Sequence, residues 1–279
     1  MPRERIIEVL NYESRQKRGV LHFNFASFFE LKAVMLAAAE LERPIFVASL
    51  PKVTMEYSPT VLRAAVDELK KRTGAEAFLH LDHTTSVDLC KAAVDAGYDS
   101  VMIDKSRFSL EENISAVQEV VSYAHPRNCA VEGEIGKIKS RGDEGDYSGE
   151  DCLVQVADAA ELTEQSGLDY LAAAIGTAHG FYQGLPQINF ERLKEVHTKV
   201  KVPLVLHGGT GIPAEDVKKC IQNGIVKVNV GTIIRYTYLS KIKEEVEKRG
   251  ASIPPVDLMD PYVIDPIKQV AMEWIRTCM

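Results

Sequence analysis

The sequence of 279 residues predicts an α/β fold, a single (β/α)8 TIM barrel with a C-terminal helical extension. Short apolar runs occur eight times, a helix-like segment follows each run, and this alternation continues along almost the whole chain. Strict alternation predicts parallel strands joined by right-handed crossovers, and eight units favour a closed barrel over an open sheet. Although the length allows two domains, we therefore expect one domain over residues 1–279, with the barrel at about 5–249 and the extension at 250–279.

The predicted strands are short, and the segments between them have helical patterns. The strands lie at 19–25, 44–50, 77–83, 99–105, 129–135, 169–175, 203–209 and 226–232. The helices lie at 30–41, 59–72, 86–96, 110–124, 154–166, 190–199, 214–223 and 234–249, and a final helix begins at about 266. Gly74, Gly97, Gly167 and Gly224 each fall just past a predicted helix, where a left-handed cap is needed. The longest irregular segment, 136–152, follows the fifth strand, and segments of that length are usually functional or disordered.

The chain carries 33 basic and 40 acidic residues, which gives a formal net charge of -7. This balance argues against nucleic acid or an anionic membrane surface as the main partner. The N-terminus lacks the apolar core of a signal peptide, and no apolar run approaches the roughly 18 residues of a membrane helix, so we expect a cytoplasmic protein. The five cysteines are odd in number and widely spaced, which predicts reduced thiols rather than a disulfide framework or a thiolate zinc site.

In a barrel of this type the chemistry lies at the C-terminal ends of the strands, where this chain concentrates its polar residues. They are Asn24, Ser49, Asp82, His83, Asp104, Glu132, Glu134, His179, His207, Asn229 and Thr232. His83, His179 and His207, at the ends of strands three, six and seven, could supply three imidazoles to one metal ion with a coordination position left open. Alternatively each histidine caps its own strand, but their common level in the barrel favours the metal site. We interpret His22 and His80, which lie within strands, as packed residues.

Asp82 directly precedes His83, and successive residues of a strand point to opposite faces unless the chain is already turning. If the chain turns there, the Asp82 carboxylate stands beside the metal position as a general base. Alternatively, Asp82 caps the following helix, for which Asp-His-Thr-Thr-Ser is also suitable. The pattern leaves both roles open.

Glycine-rich segments follow strands seven and eight. His207-Gly-Gly-Thr-Gly-Ile-Pro leads from strand seven into a helix, and Val-Asn-Val-Gly-Thr occupies 228–232. Glycine lets a backbone approach a ligand closely, and the N–H groups at the start of a helix attract an anion. Phosphate sites of TIM barrels often use these two loops. A tight turn also needs glycine, so composition favours a phosphate site but does not require one.

Several longer segments resemble a known family. They are HFN (22–24), HLDH (80–83), AGYDSVMID (96–104), VEGEIG (131–136), AAAIGTAHGFYQGLP (172–186), PLVLHGGTGIP (203–213) and GIVKVNVGT (224–232). In this order and spacing they resemble the class II (metal-dependent) ketose-bisphosphate aldolases, of the fructose- or tagatose-bisphosphate aldolase type. The likeness runs from about residue 5 to 275.

The resemblance implies reversible cleavage of a ketose (bis)phosphate into dihydroxyacetone phosphate and an aldehyde. It implies that His83, His179 and His207 bind a divalent ion, usually Zn²⁺, which polarises the ketone and stabilises the enediolate, while Asp82 exchanges the C4 hydroxyl proton. Glu134 and Asp104 match acidic residues near the metal, and a monovalent cation can accompany it. Contacts to the substrate and its phosphate are expected from Asn24, Ser49, Gly180, Gly208, Gly209, Thr210, Asn229 and Thr232. Family members are commonly homodimers or homotetramers.

The chain departs from the family pattern around the substrate. The family usually has a lysine beside the His-Gly of strand six, whereas HGFYQG (179–184) has none, and the usual Asp-Gly-Ser-His after strand four reads DKSR (104–107). We therefore expect altered specificity, in which Lys105, Arg107 or Arg235 binds an anionic group such as a sulfonate or carboxylate in place of a phosphate. The alternative is that Lys105 and Arg107 only cap the turn and face solvent.

Related enzymes use an acidic residue on the loop after strand five for a second proton transfer, and the sequence does not choose among Asp143, Glu144 and Asp146. Two other functions remain as alternatives. A class I aldolase would need a Schiff-base lysine, and only Lys105 and Lys227 lie on or at the end of predicted strands. A non-catalytic barrel could keep the metal and sugar-phosphate site without turnover.

Overall fold

The computed structural model describes residues 1–138, 153–250 and 260–279. Its strands are β1 (Val20–Asn24), β2 (Ile45–Ser49), β3 (Ala77–Thr84), β4 (Ser100–Ile103), β5 (Ala130–Ile135), β6 (Tyr170–Ala173), β7 (Leu204–Leu206) and β8 (Ile225–Val230). All neighbouring strands are parallel and pair in chain order, and β8 pairs with β1 to close the barrel. The predicted fold class is confirmed.

The helices pack around the outside of this barrel, except for one that covers its N-terminal end. They are α1 (Pro2–Arg15), α2 (Phe28–Glu40), α3 (Pro51–Tyr57), α4 (Pro59–Thr73), α5 (Val87–Asp95), α6 (Leu110–Ala124), α7 (Val156–Ser166), α8 (Phe190–Lys199), α9 (Ala214–Gln222), α10 (Thr232–Arg249) and α11 (Asp265–Thr277). A 3-10 turn (His125–Arg127) follows α6, and a π-helical turn (Asp260–Ile264) leads into α11. The four glycines predicted to follow helices have φ angles of +74°, +87°, +75° and +111°, which confirms their left-handed conformations.

Two helices, α1 and α3, were not expected from the sequence. α1 has few apolar residues, but its Ile6, Val9 and Leu10 are buried against a cluster in the lower barrel that includes Phe46 and Phe78. Because this apolar stripe is narrow, it indicates a helix only once the open end of the barrel that it covers is known. α3 has seven residues, which is too short to show a helical period.

Four strands, β4, β6, β7 and β8, end at least two residues earlier than their sequence patterns predict, and β8 ends at Val230 rather than at residue 232. β4 ends at Ile103, β6 at Ala173 and β7 at Leu206, so the polar residues that follow belong to loops at the mouth. Gly208, for example, has a φ of +69°, a conformation that a strand does not contain. Apolar patterning continues past the point where the strand leaves its hydrogen-bond ladder and therefore does not mark the strand end.

The C-terminal helix α11 packs beside α2 and α10 and buries Ile267, Ala271 and Ile275. Just after it, the carbonyl of Cys278 accepts a hydrogen bond of 2.8 Å from the N–H of Gly19, before β1. The cysteines in the described ranges are buried free thiols, and Cys152 lies outside those ranges. Within the part of the chain that the structure describes, no helix has both the length and the apolar character to cross a membrane.

Candidate active site

A cavity of about 220 Å³ opens at the C-terminal mouth of the barrel. Most of the site residues predicted from the sequence line it, namely Asn24, Asp82, His83, His179, Gly180, His207, Gly208, Gly209, Thr210, Asn229, Thr232 and Arg235. They come from the ends of β1, β3, β7 and β8, from the loop after β6 and from the first turn of α10. Closure of the barrel therefore brings together residues that are separated by up to about two hundred positions in the chain.

The three histidines converge on one point. Their ring centroids are 4.6 Å apart for His83 and His207, 4.8 Å for His83 and His179, and 5.8 Å for His179 and His207. One nitrogen of each ring lies within 4.8 Å of a nitrogen of the others. The alternative that each histidine separately caps a strand does not explain this convergence.

Carboxylates determine which nitrogen of two rings faces the centre of the triad. His83 Nδ1 lies 3.1 Å from Asp104 Oδ2, and His207 Nε2 lies 2.8 Å from Glu132 Oε1. The remaining nitrogens, Nε2 of His83 and Nδ1 of His207, face each other at 2.8 Å. Metal-binding histidines are commonly held in this way, with the outer N–H donated to a carboxylate.

Glu134 supplies an independent test of whether the site suits a metal. It is buried, and its Oε2 has no hydrogen-bond partner among the described residues. This oxygen lies 3.8 Å from Nδ1 of His83 and 3.9 Å from Nδ1 of His207. Burial and the negative charge of Asp104 raise the pKa of Glu134 well above its usual range. An orphaned carboxyl oxygen beside an imidazole triad fits a divalent cation, which would provide the missing partner.

The surroundings of His83 and His179 shift the pKa values of these two histidines in opposite directions. Burial opposes protonation of His83, but Asp82, Asp104 and Glu134 raise its pKa to about 10. Burial and the neighbouring rings of His83 and His207 lower the pKa of His179 to about 3. The site therefore attracts positive charge near His83, which again fits a cation held by the triad.

A left-handed residue lets both Asp82 and His83 face the cavity. His83 has a φ of +47°, and the pairing of β3 with β4 shifts register between Leu81 and Thr84. This irregularity cancels the strand alternation that would send the two side chains to opposite faces. The helix-capping role considered for Asp82 is filled by Ser86, whose hydroxyl accepts a hydrogen bond from the N–H of Leu89.

The two oxygens of the Asp82 carboxylate have different surroundings. Its Oδ2 accepts a hydrogen bond of 2.7 Å from Nδ2 of Asn24, and its Oδ1 has no hydrogen-bond partner among the described residues. Burial alone would raise the pKa of Asp82, but the positive charge of His83 and the contact with the His22 ring hold it well below its usual range. The group is therefore a carboxylate at neutral pH, with one oxygen available to accept a proton.

The loops after β7 and β8 form a second side of the cavity. Gly208 and Gly209 are closely packed, since a Cβ would lie 2.3 Å from the carbonyl oxygen of Ala178 at the first and 2.7 Å from that of Asn229 at the second. α10 begins at Thr232, its N-cap residue Gly231 has no side chain to cap it, and the Thr210 hydroxyl accepts a hydrogen bond of 3.3 Å from the N–H of Ile233. This combination of hydroxyls and N–H groups at a helix start suits an anion.

Some predicted residues lie outside the cavity. Ser49 is buried, and its hydroxyl contacts those of Thr54 and Tyr98 at 2.8 and 3.1 Å, so its position does not support the expected substrate contact. Lys105 lies over the ring of Phe108 at 4.3 Å, and neither it nor Arg107 lines the cavity. Asp104 and Glu134 do not line the cavity either, and both carboxyl groups lie beside Nδ1 of His83.

The loop acids proposed from the sequence, Asp143, Glu144 and Asp146, lie outside the described residues. Sequence reasoning also missed Tyr182, whose hydroxyl accepts from the N–H of Ala178 and donates to the carbonyl of Gly208, both at 2.9 Å. Nothing in the local pattern distinguishes this loop tyrosine from an exposed one. It ties the chain before His179 to the loop after His207.

A closed parallel barrel with an imidazole triad and a buried carboxylate at its C-terminal mouth has the architecture of a metal-dependent enzyme. A family profile described as "Fructose-bisphosphate aldolase class-II" matches residues 4–279. The chain therefore belongs to the class II fructose-bisphosphate aldolases, a family of metal-dependent aldehyde-lyases, and the resemblance found in the sequence is confirmed.

Individual relatives agree with this assignment. A fructose-bisphosphate aldolase of Geobacillus stearothermophilus is 35% identical over 266 residues, which cover 94% of this chain and 88% of the relative. The crystal structure of the YdjI aldolase of Escherichia coli K12 has a TM-score of 0.85 and 30% identity, with 98% and 96% of the two chains covered. A fructose-bisphosphate aldolase of Campylobacter jejuni shares the fold, with a TM-score of 0.83, 20% identity, and coverage of 100% and 95%.

Proposed function

We propose that this protein is a Zn²⁺-dependent class II aldolase that reversibly cleaves an anionic ketose phosphate into dihydroxyacetone phosphate and an aldehyde. The observation that carries the proposal is the position of Asp82 beside the triad. Its Oδ1, which has no hydrogen-bond partner among the described residues, lies 4.0 Å from Nε2 of His83, the nitrogen that faces the metal position. A carboxylate so close to a polarised substrate can act as a general base. His83, His179 and His207 would hold the ion.

The proposed cleavage begins with proton transfer from the C4 hydroxyl of the ketose to Oδ1 of Asp82. As this proton leaves, the bond between C3 and C4 breaks, the aldehyde forms at C4, and the electron pair remains on the donor half. Bound Zn²⁺ would polarise the ketone oxygen and stabilise that negative charge. Asn24, which donates to the other oxygen of Asp82, would keep the carboxylate aimed at the substrate.

The remaining steps need a proton donor and an anion site. An acid on the loop after β5, for which Asp143, Glu144 and Asp146 are the candidates, would protonate C3 of the donor half. The phosphate of that half would lie at the start of α10, between Thr210 and Thr232, because both threonines line the cavity and the start of a helix favours an anion. Asn229 and the glycines of the loops after β7 and β8 would complete this anion site.

Arg235 is the cation that supports a second anionic group. It lies in the first turn of α10 and lines the cavity, whereas Lys105 and Arg107 do not. We therefore propose that Arg235 is the main determinant for a phosphate, sulfonate or carboxylate at the far end of the substrate, because a guanidinium binds each of these with paired hydrogen bonds.

The first experiment tests metal dependence and turnover. Ketose phosphates, ketose bisphosphates and sulfo-sugar phosphates are assayed for cleavage, and the aldehydes for condensation with dihydroxyacetone phosphate. We expect turnover that EDTA abolishes, that Zn²⁺ restores and that borohydride does not trap. Absence of turnover with bound metal throughout the panel would instead favour the non-catalytic barrel, and borohydride inactivation in the presence of substrate would favour the Schiff-base enzyme.

The second experiment tests specificity. Loss of one charge-assisted contact, worth about 1.5–3 kcal/mol, predicts that Arg235→Ala raises KM roughly 10- to 100-fold for the preferred substrate. Lys105→Ala and Arg107→Ala test the other cations, and Lys91→Ala on α5 is the control for loss of a lysine far from the mouth. Unchanged KM in all three mouth variants would refute an anion-based specificity at these positions. The expected homodimer or homotetramer stays a prediction, which light scattering tests.

A further inference from the structure

Lys227 is a fully buried cation inside the barrel. It lies near the middle of β8 with no solvent exposure, and its Nζ lies 5.3 Å from the ring centroid of Phe46 and 5.7 Å from that of Tyr170. Burial of an ammonium is costly, and an apolar side chain of the same volume is often as stable at such a place. A structural role in the core therefore does not explain why a lysine stands here.

We infer that Lys227 is a positioning residue that fixes both the metal-facing nitrogen of His207 and the direction of the Asn229 amide. Its ammonium donates to Oε2 of Glu132 and to Oδ1 of Asn229, each at 2.8 Å. The inference rests on the proposed function because it takes the triad to be the metal site.

The first branch runs through Glu132 to the triad. With Oε2 held by the ammonium, Oε1 of Glu132 lies 2.8 Å from Nε2 of His207. A carboxylate accepts there, so Nε2 carries the hydrogen and the lone pair of Nδ1 points toward Nε2 of His83. The charge of Lys227 thus holds Glu132 in place, and Glu132 in turn determines which nitrogen of His207 faces the metal position.

The second branch fixes the amide of Asn229. An ammonium can only donate, so the oxygen of the amide faces Lys227 and its NH₂ group faces the other way. That nitrogen lies 3.1 Å from Nε2 of His207, whose hydrogen is already given to Glu132, so this contact is not a hydrogen bond. The N–H bonds of Asn229, which lines the cavity, are therefore available to an oxygen that becomes negative during cleavage.

The same contacts argue against Lys227 as a Schiff-base nucleophile. A nucleophilic amine needs a free lone pair and access to the substrate carbonyl. Here Nζ is fully buried and occupied by two acceptors, and Lys227 does not line the cavity. The residue acts through its neighbours.

The test uses Lys227→Met, which keeps the length of the side chain and removes both hydrogen bonds, together with Glu132→Gln and the double variant. Lys91→Met on α5 is the control, because Lys91 also pairs with a glutamate, at 2.7 Å, but lies on the surface. Metal affinity is measured by chelator competition with Zn²⁺ and by the Co²⁺ absorption spectrum, and kcat and KM are measured at saturating metal.

We expect Lys227→Met to weaken metal binding roughly 10- to 100-fold, to change the Co²⁺ spectrum, and to lower kcat about 100-fold or more with a smaller change in KM. Because Lys227 acts on the metal site through Glu132, the double variant should bind metal no more weakly than the weaker single variant. Lys91→Met should match the wild type in every measurement.

Wild-type metal affinity, Co²⁺ spectrum and kcat in Lys227→Met would overturn the inference, and so would additive losses of metal affinity in the double variant. If Lys227→Met does not fold, as judged by near-UV circular dichroism, Glu132→Gln alone must weaken Zn²⁺ binding and alter the Co²⁺ spectrum. These readouts do not need turnover. A wild-type protein that binds metal but cleaves no sugar therefore contradicts the proposed function and leaves the positioning role to be decided by the metal measurements.

Discussion

Replacement of Gly208 by alanine should disrupt the site while leaving most of the fold intact. Gly208 has a φ of +69°, and a Cβ there would lie 2.3 Å from the carbonyl oxygen of Ala178, about 1 Å short of ordinary van der Waals contact. A left-handed alanine costs about 1–2 kcal/mol, and the clash adds to this. Relief of the clash must move Gly208 or Ala178, which directly adjoin His207 and His179. A displacement of about 1 Å at a catalytic group can reduce the rate roughly 100-fold.

Gly74→Ala is the matched control. Gly74 has a similar φ of +74°, but a Cβ there would meet no atom of the described residues within 4 Å, so this variant carries the backbone strain without the clash. Thermal unfolding, Zn²⁺ content and steady-state kinetics are compared. We expect both variants to lose stability, by about 2–4 °C in Tm for each kcal/mol, and only Gly208→Ala to lose about 100-fold in kcat together with metal affinity. Equal kcat in the two variants would refute the close-packing argument.

Three further substitutions test Asp82 as the base, Asp104 as a partner of the triad, and Asp169, which directly precedes β6 and pairs with Arg3 of α1. Asp82→Asn should lower kcat about 10²- to 10⁴-fold, because an amide cannot accept the proton, while Zn²⁺ content stays unchanged. Asp104→Asn should weaken Zn²⁺ binding roughly 10- to 100-fold in chelator competition, because the amide holds His83 less firmly than the carboxylate does. Asp169→Asn should lower the free energy of unfolding in urea by about 1–3 kcal/mol, because it removes the charge that Arg3 contacts at 2.8 Å.

A specific result would contradict each of these three predictions. Asp82→Asn with wild-type kcat would remove Asp82 from the proton transfer, and wild-type Zn²⁺ affinity in Asp104→Asn would show that the carboxylate does not hold His83. For Asp169, burial alone would raise the pKa, but hydrogen bonds from His125 and Arg3 lower it. Its stabilisation is thus complete above the unfolded pKa of about 3.9 and is lost as the pH falls through the folded pKa. A difference between wild type and Asp169→Asn that does not shrink below pH 4 would contradict this.

The candidate site shows which features of a residue a sequence pattern can predict. The strand ends identify His83, His179 and His207 because parallel strands in one barrel present their C-terminal ends at the same level. The same rule predicts that Ser49 is a site residue, but its hydroxyl instead contacts those of Thr54 and Tyr98. A one-dimensional pattern gives the level of a residue in the barrel but not the direction of its side chain.

The sequence by itself determined the eight β/α units, the closed barrel and the chemical types gathered at its mouth, because these depend on periodicity and on the order of segments. Only the tertiary structure placed Asp82 in the cavity rather than at the helix cap, since the left-handed turn at His83 turns both side chains into the cavity. It also decided that Arg235 rather than Lys105 lines the cavity, and that Lys227 holds Glu132 and Asn229. Such decisions depend on distances between strands far apart in the chain, and these exist only once the barrel has closed.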